Sequence, residues 1–298
     1  MDNNSMIKLV QSCIPPLDGN SHKGQAGRIG VIGGSMEYTG APFFAGISAL
    51  KVGADIAHIF CTSPAATVIK SYSPELIVHP LLDQPNAVNE ISPWLDRLHA
   101  IVVGPGLGRE TKTFEIVSEL IETIKRKNIP LIVDADALFL ITHNLELLKD
   151  FQSPVILTPN KVEFERLCDK VNGQSGLNKL GKNIIVLKKG SMDEVYCAIS
   201  NAQWKSNVGG SGRRCGGQGD ILSGSIAIFL HWTLSNVDKL NLTYSMDRTI
   251  IAASLSCFAA SLLVRTCNEK AFKIKGRSML ATDMIEYIHI SFQELYGQ

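Results

Sequence analysis

The sequence predicts an α/β protein with a mostly parallel central sheet and helices on both faces. Short β-branched runs alternate with helical stretches, the pattern of strands buried on both sides. Several of those runs end in glycines or carboxylates, as strands do where an open α/β sheet gathers its ligands. With 298 residues, 45% of them hydrophobic, the chain can bury a large core. No repeat, low-complexity tract or long linker divides it, so one domain is expected over 1–298, with 1–22 a short leading segment.

The elements follow in order. Arg28 to Ile32 is an apolar strand that closes in Gly33-Gly34-Ser35. Ala41 to Val52, rich in small apolar residues, reads as a tightly packed helix. Asp55 to Cys61 is a second strand, Pro64 to Ser71 a helix and Leu76 to His79 a third strand. Ala100 to Val103 repeats the strand-then-glycine pattern, running into Gly104-Pro-Gly106-Leu-Gly108. Thr113 to Lys127 has helical periodicity. Pro130 to Asp136 is a strand with Asp134 and Asp136 at its carboxyl end. Pro154 to Asn160 and Asn183 to Gly190 add two more. Around Glu194 the pattern changes: Val195 to Ser200 and Gln203 to Asn207 read as a β-hairpin turning at Asn201-Ala202. Three helical stretches follow, Gly219 to Leu234, Met246 to Thr266 and Thr282 to Tyr296.

A net charge of +1 gives no electrostatic footprint for nucleic acid or anionic membrane, so anionic ligands must be held by local devices. Seven cysteines without CxxC or Cys/His zinc spacing fit reduced thiols. The first twenty residues lack a signal or transit pattern, and no uncharged run of eighteen apolar residues occurs; a cytoplasmic protein is expected. Whether the chain forms a homo-oligomer is left open.

The chemistry concentrates in Arg213-Arg214-Cys215-Gly216-Gly217-Gln218-Gly219-Asp220, just before the apolar run from Ile221. Glycines let main-chain N–H groups approach an anion closely, and a helix N-terminus favours negative charge. A phosphate cradle beside an ionised carboxylate is what phosphoryl transfer to a hydroxyl requires, with Asp220 as an N-cap on a glycine turn the plain alternative. Paired guanidinium groups at Arg213 and Arg214 suit phosphate, with a solvated basic pair as the plain alternative. Lys188, Lys189 and Gly190 end a strand near the same edge. Asp134 and Asp136 could serve magnesium, water activation or helix capping alike. His58, His79 and His99 sit in or beside apolar strands and read as satisfied core histidines. Gly176 to Asn183 imitates a P-loop but lacks its hydroxyl and precedes a strand instead of following one. The glycines give no dinucleotide fingerprint, and a G-x-S-x-G elbow is absent from the sequence.

Taken in order, Lys23-Gly24-Gln25 with Gly27-Arg28, Tyr38-Thr39-Gly40-Ala41-Pro42, Val103 to Gly108, Asp134-Ala135-Asp136, Thr158-Pro159-Asn160 with Glu163-Phe164, and Gly216 to Asp220 resemble the ATP-dependent NAD(P)H-hydrate dehydratase family, of eukaryotic type. The resemblance runs from about Lys23 to the last helix. It implies a ribokinase-like three-layer sandwich and a repair enzyme that phosphorylates the ring hydroxyl of hydrated NADH or NADPH with ATP. Phosphate then leaves and the reduced cofactor is restored. Asp220 resembles the base. Gly210, Ser211, Gly212, Arg213, Arg214, Cys215, Gly216, Gly217, Gln218 and Gly219 resemble the wrap around the nucleotide phosphates. Lys189, Gly190, Ser191, Met192 and Asp193 would lie along the nucleotide. Gly106 and Asn160, Lys161, Val162, Glu163, Phe164, Glu165 and Arg166 would face the hydrated dinucleotide, together with Asp220. Magnesium is expected with ATP, held by phosphate oxygens and water, without a dedicated protein cage. One departure is the crossover at 171–182, shorter than the family carries, which puts the intervening helix in doubt. A ribokinase-like kinase of a small alcohol or vitamin precursor is the alternative within the fold. A non-catalytic nucleotide-binding module is the alternative outside enzymes.

Overall fold

The computed structural model describes residues 2–17, 19, 22–240 and 247–297. Its first element is a helix, α1 (Asn3–Cys13), capped by the Asp2 side chain on the Ser5 N–H. Alternating strands and helices follow: β1 (Arg28–Ile32), α2 (Gly40–Val52), β2 (Ile56–Cys61), α3 (Ser63–Tyr72), β3 (Leu76–Pro80), α4 (Ala87–Leu95) and β4 (Ala100–Val103). The chain continues through α5 (Thr111–Arg126), β5 (Leu131–Val133), α6 (Ala135–His143), β6 (Val155–Leu157), α7 (Lys161–Lys170) and β7 (Ile184–Lys188). It then makes β8 (Asp193–Tyr196), β9 (Trp204–Ser206), α8 (Gln218–Ser235), α9 (Arg248–Lys275), α10 (Ala281–Glu286) and α11 (Ile288–Tyr296).

Among the described residues nine strands form one sheet, in the order β3-β2-β1-β4-β5-β6-β7-β8-β9. Strands β1 to β7 pair in parallel, and β8 and β9 join antiparallel at the edge. Because side chains alternate across a strand, each strand feeds two cores. Ile29, Val31, Ile59 and Ile132 face a layer containing α1, α2, α3 and α8 to α11; Ile32, Phe60, Ile101 and Val133 face α4 to α7. The result is the helix–sheet–helix arrangement that the continuous apolar runs predict.

Most of the expected elements are present within a residue or two. The differences are physical. α1, α4 and α6 are helices the sequence reading left out; α4 carries Pro93, which masks its periodicity, and α6 follows Asp134 after a residue, Ala135, at φ +48°. The helix before 171–182 is intact: Asn160 accepts from the Glu163 N–H at 3.0 Å while Glu163 accepts from the Asn160 N–H at 2.8 Å, a reciprocal cap that starts α7. The short crossover holds a 3-10 turn, Gln174–Lys179. The hairpin is shorter than expected, with a 3-10 turn at Ser200–Ala202. Met246 lies outside the described residues, and the helix expected from it runs on to Lys275. The last stretch breaks at Tyr287 into α10 and α11.

α9 has the length and apolarity to cross a bilayer, but 89% of its most apolar window is buried in the fold, against α8, α1 and α11.

Candidate active site

Asp134 leaves the end of β5 and is fully buried. Its Oδ1 receives the Lys189 ammonium at 2.7 Å and the Thr158 hydroxyl at 2.8 Å. Burial alone would raise its carboxyl, but the ammonium and the two donated hydrogen bonds hold it below the usual carboxylate range. Lys189 in turn stays cationic, because Asp134 outweighs the burial that would lower it. Three strand ends, those of β5, β6 and β7, thus meet at one ion pair.

Above this pair stands the N-terminus of α8. Its N-cap is Gly217 at φ +91°, a left-handed residue whose added Cβ would lie 2.7 Å from Ala281 and 2.8 Å from the Phe44 ring. The glycine is therefore required by the turn's conformation and by its packing on α2 and α10. Gly219 is different: a Cβ there would come 3.1 Å from Lys189 Nζ. The first N–H groups of α8, unpaired within the helix, and the Lys189 cation thus converge beside Asp220. Burial and the neighbouring Asp134 charge push the Asp220 carboxyl up to about 7, with Lys189 pulling the other way.

A cavity of about 510 Å³ opens over this floor. Lys189, Gly190, Asp193, Gly210, Arg214, Cys215, Gly216, Gly217, Gln218, Gly219, Asp220, Asn160 and Glu163 all line it, drawn from across the chain to one place. Other anticipated residues stand elsewhere. Ser191 and Met192, with Lys161, Phe164 and Glu165, border an adjoining cavity of about 360 Å³ that shares Lys189 and Gly190 with the first. Phe164 itself is a buried core ring, with Tyr196 at 5.3 Å and the Lys188 ammonium at 5.1 Å. Val162 is exposed, and Arg166 stands near the Phe139 ring. Ser211, Gly212 and Arg213 are outside the cavity wall, and the two arginines are split: Arg213 donates to the Met279 carbonyl while Arg214 faces inward. Gly106 is also off the wall; at φ +61° it packs on the Tyr38 carbonyl, 2.5 Å from where a Cβ would be. The Gly33 and Gly104 turns serve contact too, since a Cβ on Gly104 would lie 1.8 Å from the Asp134 carbonyl. Of the strand ends expected at the site, those of β5, β6 and β7 border the cavity. Asp136 accepts from the Gly108 N–H and pairs with Arg109 at 2.9 Å.

The core histidines are satisfied as read: His58 and His79 share a 2.9 Å hydrogen bond, and His99 stands against Arg28. Among the described residues no group of three His, Cys, Asp or Glu is placed to hold a metal ion.

Sequence reasoning missed the α9 wall of the cavity, Val264, Arg265 and Asn268. Arg265 donates to the carbonyls of Ser191, Val208 and Gly209 and pairs with Asp193 at 3.5 Å, tying both loops to α9. A lone arginine inside an apolar helix was the available signal. Asn268 is buried, and its Oδ1 has no hydrogen-bond partner.

A mostly parallel sheet between two helical layers is the fold this chain shares with ribokinase-like proteins. Solved structures agree on the fold: a ribokinase-like superfamily protein of Enterococcus faecalis matches with TM-score 0.74 at 19% identity, over 98% of this chain and 95% of that one. An ADP/ATP-dependent NAD(P)H-hydrate dehydratase of Bacillus subtilis, co-crystallised with ATP and Mg²⁺, matches with TM-score 0.68 at 20% identity, over 97% of each chain. The family model for NAD(P)H-hydrate dehydratase matches residues 29–289. A protein of Aedes aegypti is 51% identical over 98% of this chain and 85% of its own length, and one of Homo sapiens 46% identical over 99% and 86%; both are named ATP-dependent (S)-NAD(P)H-hydrate dehydratase. The chain belongs to the NAD(P)H-hydrate dehydratase family.

Proposed function

We propose that this chain uses ATP to dehydrate the S epimer of hydrated NADH or NADPH, restoring the reduced cofactor and releasing ADP and phosphate. The observation that carries the reading is Asp220 at the N-terminus of α8, a carboxylate held near neutrality beside an anion cradle. A general base works best when its proton affinity matches the operating pH. Asp220 takes the proton from the ring hydroxyl as that oxygen attacks the terminal phosphorus of ATP, and ADP leaves. The ring nitrogen's lone pair then expels phosphate, and loss of a proton from the adjacent ring carbon restores the double bond. Hydroxide is a poor leaving group and phosphate a good one, so phosphorylation makes the elimination accessible.

The protein's part is positioning and charge. The free N–H groups of α8 and the Lys189 ammonium suit the transferred phosphoryl group. Arg214 suits the remaining phosphates. ATP enters as its magnesium complex, the metal on phosphate oxygens and water. The wall formed by Leu222, Val264 and Met284 gives the base an apolar surface, with the unpartnered Asn268 Oδ1 beside it.

The test is one cuvette. Purified protein, Mg-ATP and hydrated NADPH are expected to give phosphate and reduced-nicotinamide absorbance in equal amounts, and only with ATP. A stable phosphate ester with no recovered absorbance would make the chain a kinase of the alternative kind.

A further inference from the structure

Asp134 takes no part in the transfer as drawn, yet it is the carboxylate on which three strand ends converge. Both donated hydrogen bonds go to Oδ1, from Lys189 and Thr158. Oδ2 lies toward α8, 3.8 Å from where a Cβ on Gly219 would stand, while Lys189 Nζ is 3.1 Å from the same point. The ion pair therefore sits directly beneath the first turn of the helix that carries Asp220. A buried ion pair is a weak stabiliser compared with well-packed apolar groups. Its electrostatic effect on the helix above is what an apolar replacement would not supply.

The charges facing Asp220 come from several walls. Asp134 and Asp136 follow β5, Glu163 stands on α7, and Lys189 and Asp193 flank the turn from β7 to β8. Arg214 and Cys215 lie on the loop before α8, and Arg265 reaches in from α9. Asp136 is paired with Arg109 and Asp193 with Arg265, whereas Asp134 and Lys189 act on Asp220 in opposite directions.

We propose that the Asp134–Lys189 pair is a positioning device for the base: it holds the ammonium under the phosphate turn and places two opposite charges beneath Asp220. The role rests on Asp220 being the base in the reaction proposed above. Asp134→Asn leaves Lys189 unopposed, so the acid limb of kcat/KM moves below its wild-type midpoint by about 1 pH unit or more. Lys189→Met leaves Asp134 unopposed and moves the limb up. The double variant, neutral and close in shape, returns it near wild type.

Two readouts separate the outcomes. The first is the pH profile of ATP-dependent recovery of reduced cofactor from hydrated NADPH. The second needs no substrate: a ¹³C NMR titration of protein labelled at aspartate carboxyls, with Asp220 assigned by its absence in Asp220→Asn. If Lys189→Met does not fold, Asp134→Asn and the double variant still give the comparison. An unmoved Asp220 midpoint in Asp134→Asn, whatever happens to kcat, makes the pair scaffold and overturns the proposal. An Asp220 midpoint that shifts as expected in Asp134→Asn, with a wild-type protein that recovers no cofactor, would sink the assigned reaction and leave the coupling standing.

Discussion

Asp220, the carboxylate proposed as the base, is held where it costs the fold stability. Its carboxyl titrates near 7 in the folded chain, against roughly 4 for an ordinary aspartate. As pH rises from about 4 to about 7 the unfolded chain loses this proton first, so stability falls across that window and the loss is complete above 7. Asp220→Asn removes the buried charge. It is expected to lose about 10²- to 10⁴-fold in turnover, as for removal of a general base, while melting higher than wild type at pH 8 and no higher near pH 4. Turnover close to wild type would leave Asp220 a first-turn carboxylate without a part in the reaction. The glycine-rich motif and its carboxylate were legible in sequence because their chemistry is local. The partner of Lys189 was not: Asp134 lies across β6 from it, and only the register of β5, β6 and β7 brings the two together.

At the scale of elements, α8 decides the site, because its first turn brings free N–H groups and Asp220 to the cavity. Its position depends on a close crossing with α2, where a Cβ on Gly224 would stand 2.0 Å from the Ala45 carbonyl oxygen. Backbone on backbone cannot yield by rotating a side chain. Gly224→Ala is therefore expected to lower the melting temperature, by about 1–3 kcal/mol in stability. Helix propensity alone would favour alanine by about 1 kcal/mol, so the sign of the measured change decides between packing and propensity. Long apolar runs made α8 and the parallel strands readable. Periodicity failed for α1 and α4, which are short, and for α10 and α11, which read as one helix until Tyr287 breaks them.

Over the whole molecule, charge is nearly balanced, and the cations lining the cavity, Lys189, Arg214 and Arg265, are local instead of part of a broad basic face. Ligand binding to the folded state alone raises its stability, by about 2.7 kcal/mol at a hundredfold excess over Kd. Mg-ATP is thus expected to raise the melting temperature of the wild-type chain. Gly217→Val should abolish that rise, because valine at φ +91° is strained and its side chain would press on Phe44 and Ala281. An undiminished rise in the variant would place the phosphates away from α8.

The packing of α1 against α9 and α11 bears on how the chain is made. On the ribosome α1 emerges more than two hundred residues before α9, so Met6, Val10 and Cys13 wait without their partner while the sheet is assembled. α9, when it comes, is the most bilayer-like segment of the fold, and α1, α10 and α11 all pack on it. The two ends of the chain thus close on the same apolar helix. Biogenesis therefore has a vulnerable interval late in synthesis, when the sheet exists but its longest helix is still uncovered. In that interval chaperone capture and aggregation compete with native closure.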